Sequence, residues 1–318
     1  MYGLLAFAIV VLALILIRQH LLQRESPRPA NEPFEGNVYR IGDAYIAERP
    51  GGERPRATVV FMHGYLADLR YAAELYTDPD IQLISINSGS YHLPIDAPRP
   101  RVPDWAEMPT GALGTVSYDA QVLLQALRHL PRSDRIRVHG HSRGGAVVLE
   151  AARRAPELFA QVQVVLEAPA LPQAKTKVPV LGFGLWLMPL TLPLWQRRPI
   201  SPRNQKIWGD LDSHPRKREL IRALPFNPRT AAVAVVNLKT LVRWMRDNDA
   251  SLYRNVAGAV VLIPDDDQVL DADSMRASVE QAGDRVAVIS VTSSSHFVAL
   301  DQPLAFPPLP GDGEITSH

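Results

Sequence analysis

The chain has 318 residues, 46% hydrophobic and 21% charged, enough for one large globular α/β domain plus an insertion and too apolar for a disordered chain. Its 34 Lys and Arg against 33 Asp and Glu leave a net charge of +1, which by itself argues neither for nor against nucleic acid. The absence of cysteine excludes disulfides, thiol chemistry and cysteine-based zinc sites.

Residues Met1 to Ile17 carry no charge, and Arg18 ends the run. Leu21 and Leu22 extend it towards the ~20 apolar residues that a ~30 Å hydrocarbon core requires. A cleaved signal peptide would place basic residues ahead of the run and a small-x-small site behind it. Here Arg18, Arg24 and Arg28 come afterwards, so residues 1–24 are read as an uncleaved, single-pass membrane anchor. The positive-inside tendency then puts the rest of the chain in the cytoplasm.

Residues 25–36, with three prolines, read as a linker. Short strands are expected near Val38–Ile41 and Ala44–Glu48, with a turn at Pro50-Gly51-Gly52. Thr58–Met62 and Ile81–Ile86 are continuous apolar runs, as suits central strands buried on both faces. Helical spacing follows at 67–76 and, beyond a proline-rich loop from Pro94 to Pro109, at Ser117–Leu130. Further strands are expected at 135–139, Val162–Leu166, Ala259–Ile263 and Val286–Val291, with helices after Ser142 to about Arg154 and over Asp273–Ala282. Strands alternating with helices predict an α/β fold, a mostly parallel, doubly wound sheet flanked by helices. The core is assigned to residues 37–170 and 256–318.

Between 171 and 255 the alternation stops, which predicts an inserted helical cap. It holds fifteen Lys and Arg against five Asp and Glu, a net +10 in a chain of net +1. Within it, Val178 to Trp195 is an apolar run whose only polar side chain is Thr191. Pro179, Pro189 and Pro193 argue against a straight spanning helix there. Trp186 and Trp195 followed by Gln196-Arg197-Arg198 give the run the composition of an interfacial segment, a lid that touches a bilayer and admits lipid esters. A run that simply packs over the sheet and lines a pocket fits equally well. Both readings favour an apolar acyl substrate, with Phe183, Trp186 and Phe297 as its expected contacts.

The chemistry centres on Val138-His139-Gly140-His141-Ser142-Arg143-Gly144-Gly145, which contains G-x-S-x-G after an apolar β-favouring run. A serine on a sharp strand-to-helix turn has a strained backbone, and side chains at Gly140 and Gly144 would collide with neighbouring chain. Such a serine needs a general base and a group that orients the base. Of nine histidines, His296 directly follows a late predicted strand, and open α/β sheets place their sites at the carboxyl ends of strands. The preceding strand runs into Asp265-Asp266-Asp267, one of which is placed to orient it. His139-x-His141 could form a metal pair, but no third ligand accompanies it.

These motifs resemble those of the α/β-hydrolase family, in the order Ser142, Asp267, His296. In that family the acid is typically the fourth residue of a G-x-x-D turn; Pro264-Asp265-Asp266-Asp267 keeps the spacing with proline for glycine and leaves Asp267 or Asp265 open. His63-Gly64-Tyr65 matches the family's loop after its third strand, implying an oxyanion hole from the backbone N–H groups of Tyr65 and Arg143 beside His63, Gly64 and His141. The frequent Asp-x-Arg-Gly-x-Gly segment is absent, replaced by Asn87-Ser88-Gly89-Ser90-Tyr91-His92.

The resulting expectation is a membrane-anchored serine hydrolase of carboxylic esters with apolar or lipid-like acyl groups, acting through an acyl-enzyme without cofactor or metal. Its partners are the ester substrate and a membrane, with no nucleic acid. A thioesterase or serine aminopeptidase could use the same triad, and a tethered binding protein is the non-catalytic alternative.

Overall fold

The computed structural model describes residues 2–96, 99–177, 180 and 182–312. The apolar runs found in the sequence form an eight-stranded sheet: β1 (Asn37–Ile41), β2 (Ala44–Arg49), β3 (Ala57–Met62), β4 (Ile81–Asn87), β5 (Ile136–His141), β6 (Gln163–Glu167), β7 (Ala259–Pro264) and β8 (Val286–Val291). Their spatial order is β8-β7-β6-β5-β3-β4-β2-β1. The six strands from β8 to β4 are parallel, and β2 and β1 add to the β4 edge antiparallel. Order reverses around β3 and β4, so the carboxyl ends of β3 and β5 lie side by side, where a crevice can form.

The period-2 geometry of a strand sends alternate side chains to opposite layers. On β3, Val60 and Met62 join the core under α3 (Val116–His129) and α4 (Arg143–Arg154), while Val59 and Phe61 join that under the short helix α2 (Tyr71–Leu75). That short helix is half the predicted length. Leu66 adopts φ 64° and Asp68 accepts from the Arg70 N–H, so the chain stays in turns until Tyr71.

An apolar helix, α1 (Tyr2–Gln23), stands at the head of the chain; its 22 residues are long and apolar enough to cross a membrane. The following residues are tied to the body by backbone pairs. Glu25 bridges Thr230, Ser26 N–H donates to the Arg229 carbonyl at 2.7 Å, and Glu32–Pro33 pairs in parallel with Ile95–Asp96. Proline-rich chain favours extended backbone, which leaves peptide groups free to pair with a neighbour.

The segment between β6 and β7 carries helices at Gly182–Arg197, Lys217–Ala223 and Ala231–Asp247. The first takes in the apolar run from Gly182 to Trp195 in spite of Pro189 and Pro193. Sixteen residues give it about 24 Å, short of a bilayer core. It packs against the N-terminal helix and Ala231–Asp247. Val178, Pro179 and Leu181 of the run lie outside the described residues.

Candidate active site

β5 ends in Gly140-His141, and Ser142 turns the chain into α4 with φ 53° and ψ −118°, a region that side chains rarely occupy. Ser142 N–H donates to Glu167 O at 2.8 Å, and Ser142 O accepts from Gly145 and Ala170 N–H at 2.9 Å each, so the turn is fixed from both sides. A Cβ on Gly140 would stand 2.7 Å from Gly144 O, and one on Gly144 would run into the Met62 carbonyl. Glycine at 140 lets the strand end and the start of the helix fold against each other, and glycine at 144 lets the elbow meet the end of β3.

The loops after β7 and β8 bring two more groups to Ser142. His296 Nε2 lies 2.8 Å from Ser142 Oγ, and His296 Nδ1 lies 2.7 Å from Asp267 Oδ2. Asp267 is fully buried, and its Oδ1 accepts from the backbone N–H groups of Val269 and Leu270 at 2.7 and 3.2 Å. Asp265 and Asp266 face outward on Arg276 and Lys177. Burial therefore separates the three aspartates: Asp267 is the one that meets His296.

The loop after β3 packs over the elbow, with Gly64 so close that a Cβ there would lie 2.8 Å from Ser142 Cβ. His63 is buried and accepts the Ser88 N–H on Nε2 at 3.0 Å, which leaves Nδ1–H to donate to Gly64 O at 2.7 Å. Burial lowers the pKa of His63, keeping the ring in this neutral form. The backbone N–H groups of Tyr65 and Arg143 have no hydrogen-bond acceptor among the described residues. Tyr65 directs its hydroxyl to Ala234 O at 3.1 Å, and burial raises its pKa well above the ordinary tyrosine value.

His141 is buried beside the site, where its Nε2–H donates to the His296 carbonyl at 2.9 Å. Burial pushes its pKa down to about 4, so it is neutral at pH 7. His139 does not share a ligand position with it; its ring is held between Tyr76 Oη at 3.0 Å and Glu167 Oε2 at 3.1 Å. Glu167 also accepts from the Tyr71 hydroxyl and from Ala299 N–H at 2.8 Å. This buried carboxylate, at the end of β6, was not anticipated from the sequence. Nor was the Arg143 side chain, which is fully buried and donates to Asp119 Oδ2 at 2.7 Å.

Ser142 and His296 open into a cavity of about 550 Å³ whose walls include Met188, Leu192, Trp195, Trp208 and Phe297. None of the described residues lining it is Asp, Glu, Lys or Arg. Of the three expected substrate contacts, Phe297 borders this cavity. Phe183 and Trp186 do not: their rings stack on each other, and Phe183 is 69% exposed. Trp186 faces the N-terminal helix, where Arg18 donates to Trp186 O at 2.8 Å and lies over its ring. Met188, Leu192 and Trp195, spaced one helical face apart, point inward instead.

The sequence profile of the alpha/beta hydrolase family matches residues 59–306, and no curated protein matches the chain by sequence. Among solved structures, an esterase from Exiguobacterium antarcticum is similar with a TM-score of 0.59 and 14% identity, over 85% of this chain and 96% of that one. A thermophilic esterase from Thermogutta terrifontis gives a TM-score of 0.58 and 14% identity, over 85% and 94%. A membrane phospholipase A described as a bacterial virulence factor gives 0.57 and 18%, over 96% and 91%. The chain belongs to the alpha/beta hydrolase family.

Proposed function

We propose that this alpha/beta hydrolase is a membrane-anchored serine esterase that cleaves carboxylic esters of lipid-like acyl groups. The observation that carries the reading is the unbroken hydrogen-bonded chain Asp267–His296–Ser142, its serine end open to an apolar cavity. His296 takes the Ser142 proton as Oγ attacks the ester carbonyl, and Asp267 holds the ring in the tautomer that leaves Nε2 free to accept. The free N–H groups of Tyr65 and Arg143 hold the resulting oxyanion, each contributing about 3 kcal/mol to lowering the barrier. Collapse breaks the ester C–O bond, and the proton passes from His296 to the leaving alkoxide. Water, deprotonated by His296, then attacks the acyl-enzyme, and the acid leaves as Ser142 recovers its proton.

The cavity supports an acyl chain as its occupant. Its size falls in the ordinary range for small-molecule sites, and among the described residues its walls offer no carboxylate to a substrate ammonium, which disfavours an aminopeptidase. The inserted segment at 171–255 acts as the cap that closes over this chain. Residues Tyr2–Gln23 span the bilayer, with the body on the cytoplasmic side. The match to the membrane phospholipase A supports the anchor. It leaves about 4% of this chain unmatched, on the order of 13 residues, fewer than the 22 of the helix.

The test is labelling by a fluorophosphonate together with a panel of oxygen esters, thioesters, peptide amides and phospholipid vesicles, against Ser142→Ala. Ester hydrolysis and labelling that both vanish in the variant are expected. Unchanged labelling in Ser142→Ala would overturn the serine assignment, and faster thioester turnover would move the substrate class.

A further inference from the structure

The loop that carries His296 is gripped by the segment inserted between β6 and β7. His296 N–H donates to Ile207 O at 3.2 Å, and the Trp208 ring packs 5.7 Å from that of Phe297. Gly209, at φ 62°, lets the two chains touch: a Cβ there would stand 2.8 Å from Ser295 Cβ and 2.7 Å from Asp301 Oδ2. Beneath this contact lies Lys217, fully buried in a molecule whose other lysines are at least partly exposed among the described residues. Its ammonium pairs with Asp301 Oδ1 and donates to Asp210 O at 2.9 Å and Ser295 Oγ at 3.3 Å. Ser295 Oγ in turn accepts the Phe297 N–H at 3.1 Å, and Ser293 Oγ reaches Asp301 Oδ2 at 3.4 Å and accepts the Ser295 N–H at 3.0 Å. Every residue from 293 to 297 is thus tied, directly or through one partner, to Lys217, Asp301 or the 207–209 stretch, save Ser294.

We infer that residues 207–217 are the mount of the general base, with Lys217 as a positioning residue that sets His296 through Asp301 and Ser295. The inference rests on the serine-hydrolase reading above. A buried ammonium is costly unless it is paired and fully hydrogen-bonded, so it holds its partners in one arrangement. Ile207 and Trp208 also line the cavity, so one stretch of chain forms both the substrate wall and the seat of the base. Closing the cavity and aiming His296 are therefore a single structural event. A displacement of this stretch that opens the cavity also releases the His296 N–H.

The test is a double-mutant cycle between Lys217→Met and His296→Ala in the full chain, assayed on a short, soluble p-nitrophenyl ester. Lys217→Met alone is expected to lower kcat at least tenfold with KM within twofold, and to slow fluorophosphonate labelling equally. In the His296→Ala background, the same substitution should leave the residual rate unchanged, because it acts only through the missing ring. Gly209→Ala, which pushes on Ser295 and Asp301 without removing a charge, is expected to give the same pattern. If Lys217→Met fails to fold, Gly209→Ala and the charge-free Lys217→Met/Asp301→Leu pair carry the cycle. Full kcat in a folded variant, or an equal loss in the His296→Ala background, overturns the inference. Undiminished turnover by His296→Ala itself would instead overturn the triad.

Discussion

Arg143 offers a sharp test of how the site is held up, because its side chain and its backbone have separate roles. The guanidinium is fully buried and meets Asp119, whose other oxygen accepts only the Gly89 N–H at 3.1 Å. Arg143→Met fills similar space but strands Asp119 as an uncompensated charge in the core. Removing one partner of such a pair costs about 3–5 kcal/mol, a large part of the 5–15 kcal/mol that keeps a domain folded. Arg143→Met/Asp119→Leu removes both charges and leaves the Gly89 N–H and the weakly held Ser88 hydroxyl unpaired, so it should recover to within about 2 kcal/mol of the parent. Denaturant unfolding in detergent micelles, followed by tryptophan fluorescence, measures both. The folded fraction of either variant should keep its kcat, since position 143 still supplies its backbone N–H. A loss below about 1 kcal/mol in the single variant, or equal damage in the double, would refute the reasoning.

Three further outcomes are expected. Asp267→Asn should lower kcat by about 10⁴ while leaving the protein folded, because an amide favours the wrong tautomer of His296; steady-state kinetics on a soluble ester read it directly. Burial lowers the pKa of His141 to about 4, against about 6.5 in the unfolded chain, so the unfolded state binds the extra proton first. Stability should therefore fall as pH drops from 6.5 to 4, by about 3 kcal/mol from this ring; unfolding curves of His141→Asn should lose that share of the decline. Leu192→Trp adds bulk to the cavity wall and should shift ester preference towards shorter acyl chains, read as kcat/KM across a chain-length series.

The strands were readable because central parallel strands are apolar on both faces, as Thr58–Met62 and Ile81–Ile86 show. Ser142 and His296 were readable because strand ends and glycines mark the turns around them. The partner of His296 among three consecutive aspartates was narrowed by the family spacing to Asp267 or Asp265 and no further. What distinguishes Asp267 is burial and two backbone N–H donors, both properties of the folded loop. Composition marked Val178–Trp195 as apolar without saying which side of it faces the cavity. The spacing of Met188, Leu192 and Trp195 holds that signal, once the two prolines are accepted inside a helix. Lys217 and Glu167 left no local trace, since the carboxylate that pairs with Lys217 lies 84 residues away and the side-chain partners of Glu167 lie 28 or more.

The way the chain leaves its first helix bears on how the enzyme would meet a substrate. A free twelve-residue linker would let the body swing over about 17–21 Å and face any direction. Instead Arg18 is fastened to Trp186, and Ser26 to Arg229, within a few residues of the helix end. With that helix across a bilayer, the cavity keeps a constant height and tilt above the lipid. The ester concentration it samples is then a mole fraction in the plane of the membrane, indifferent to dilution of the bulk phase.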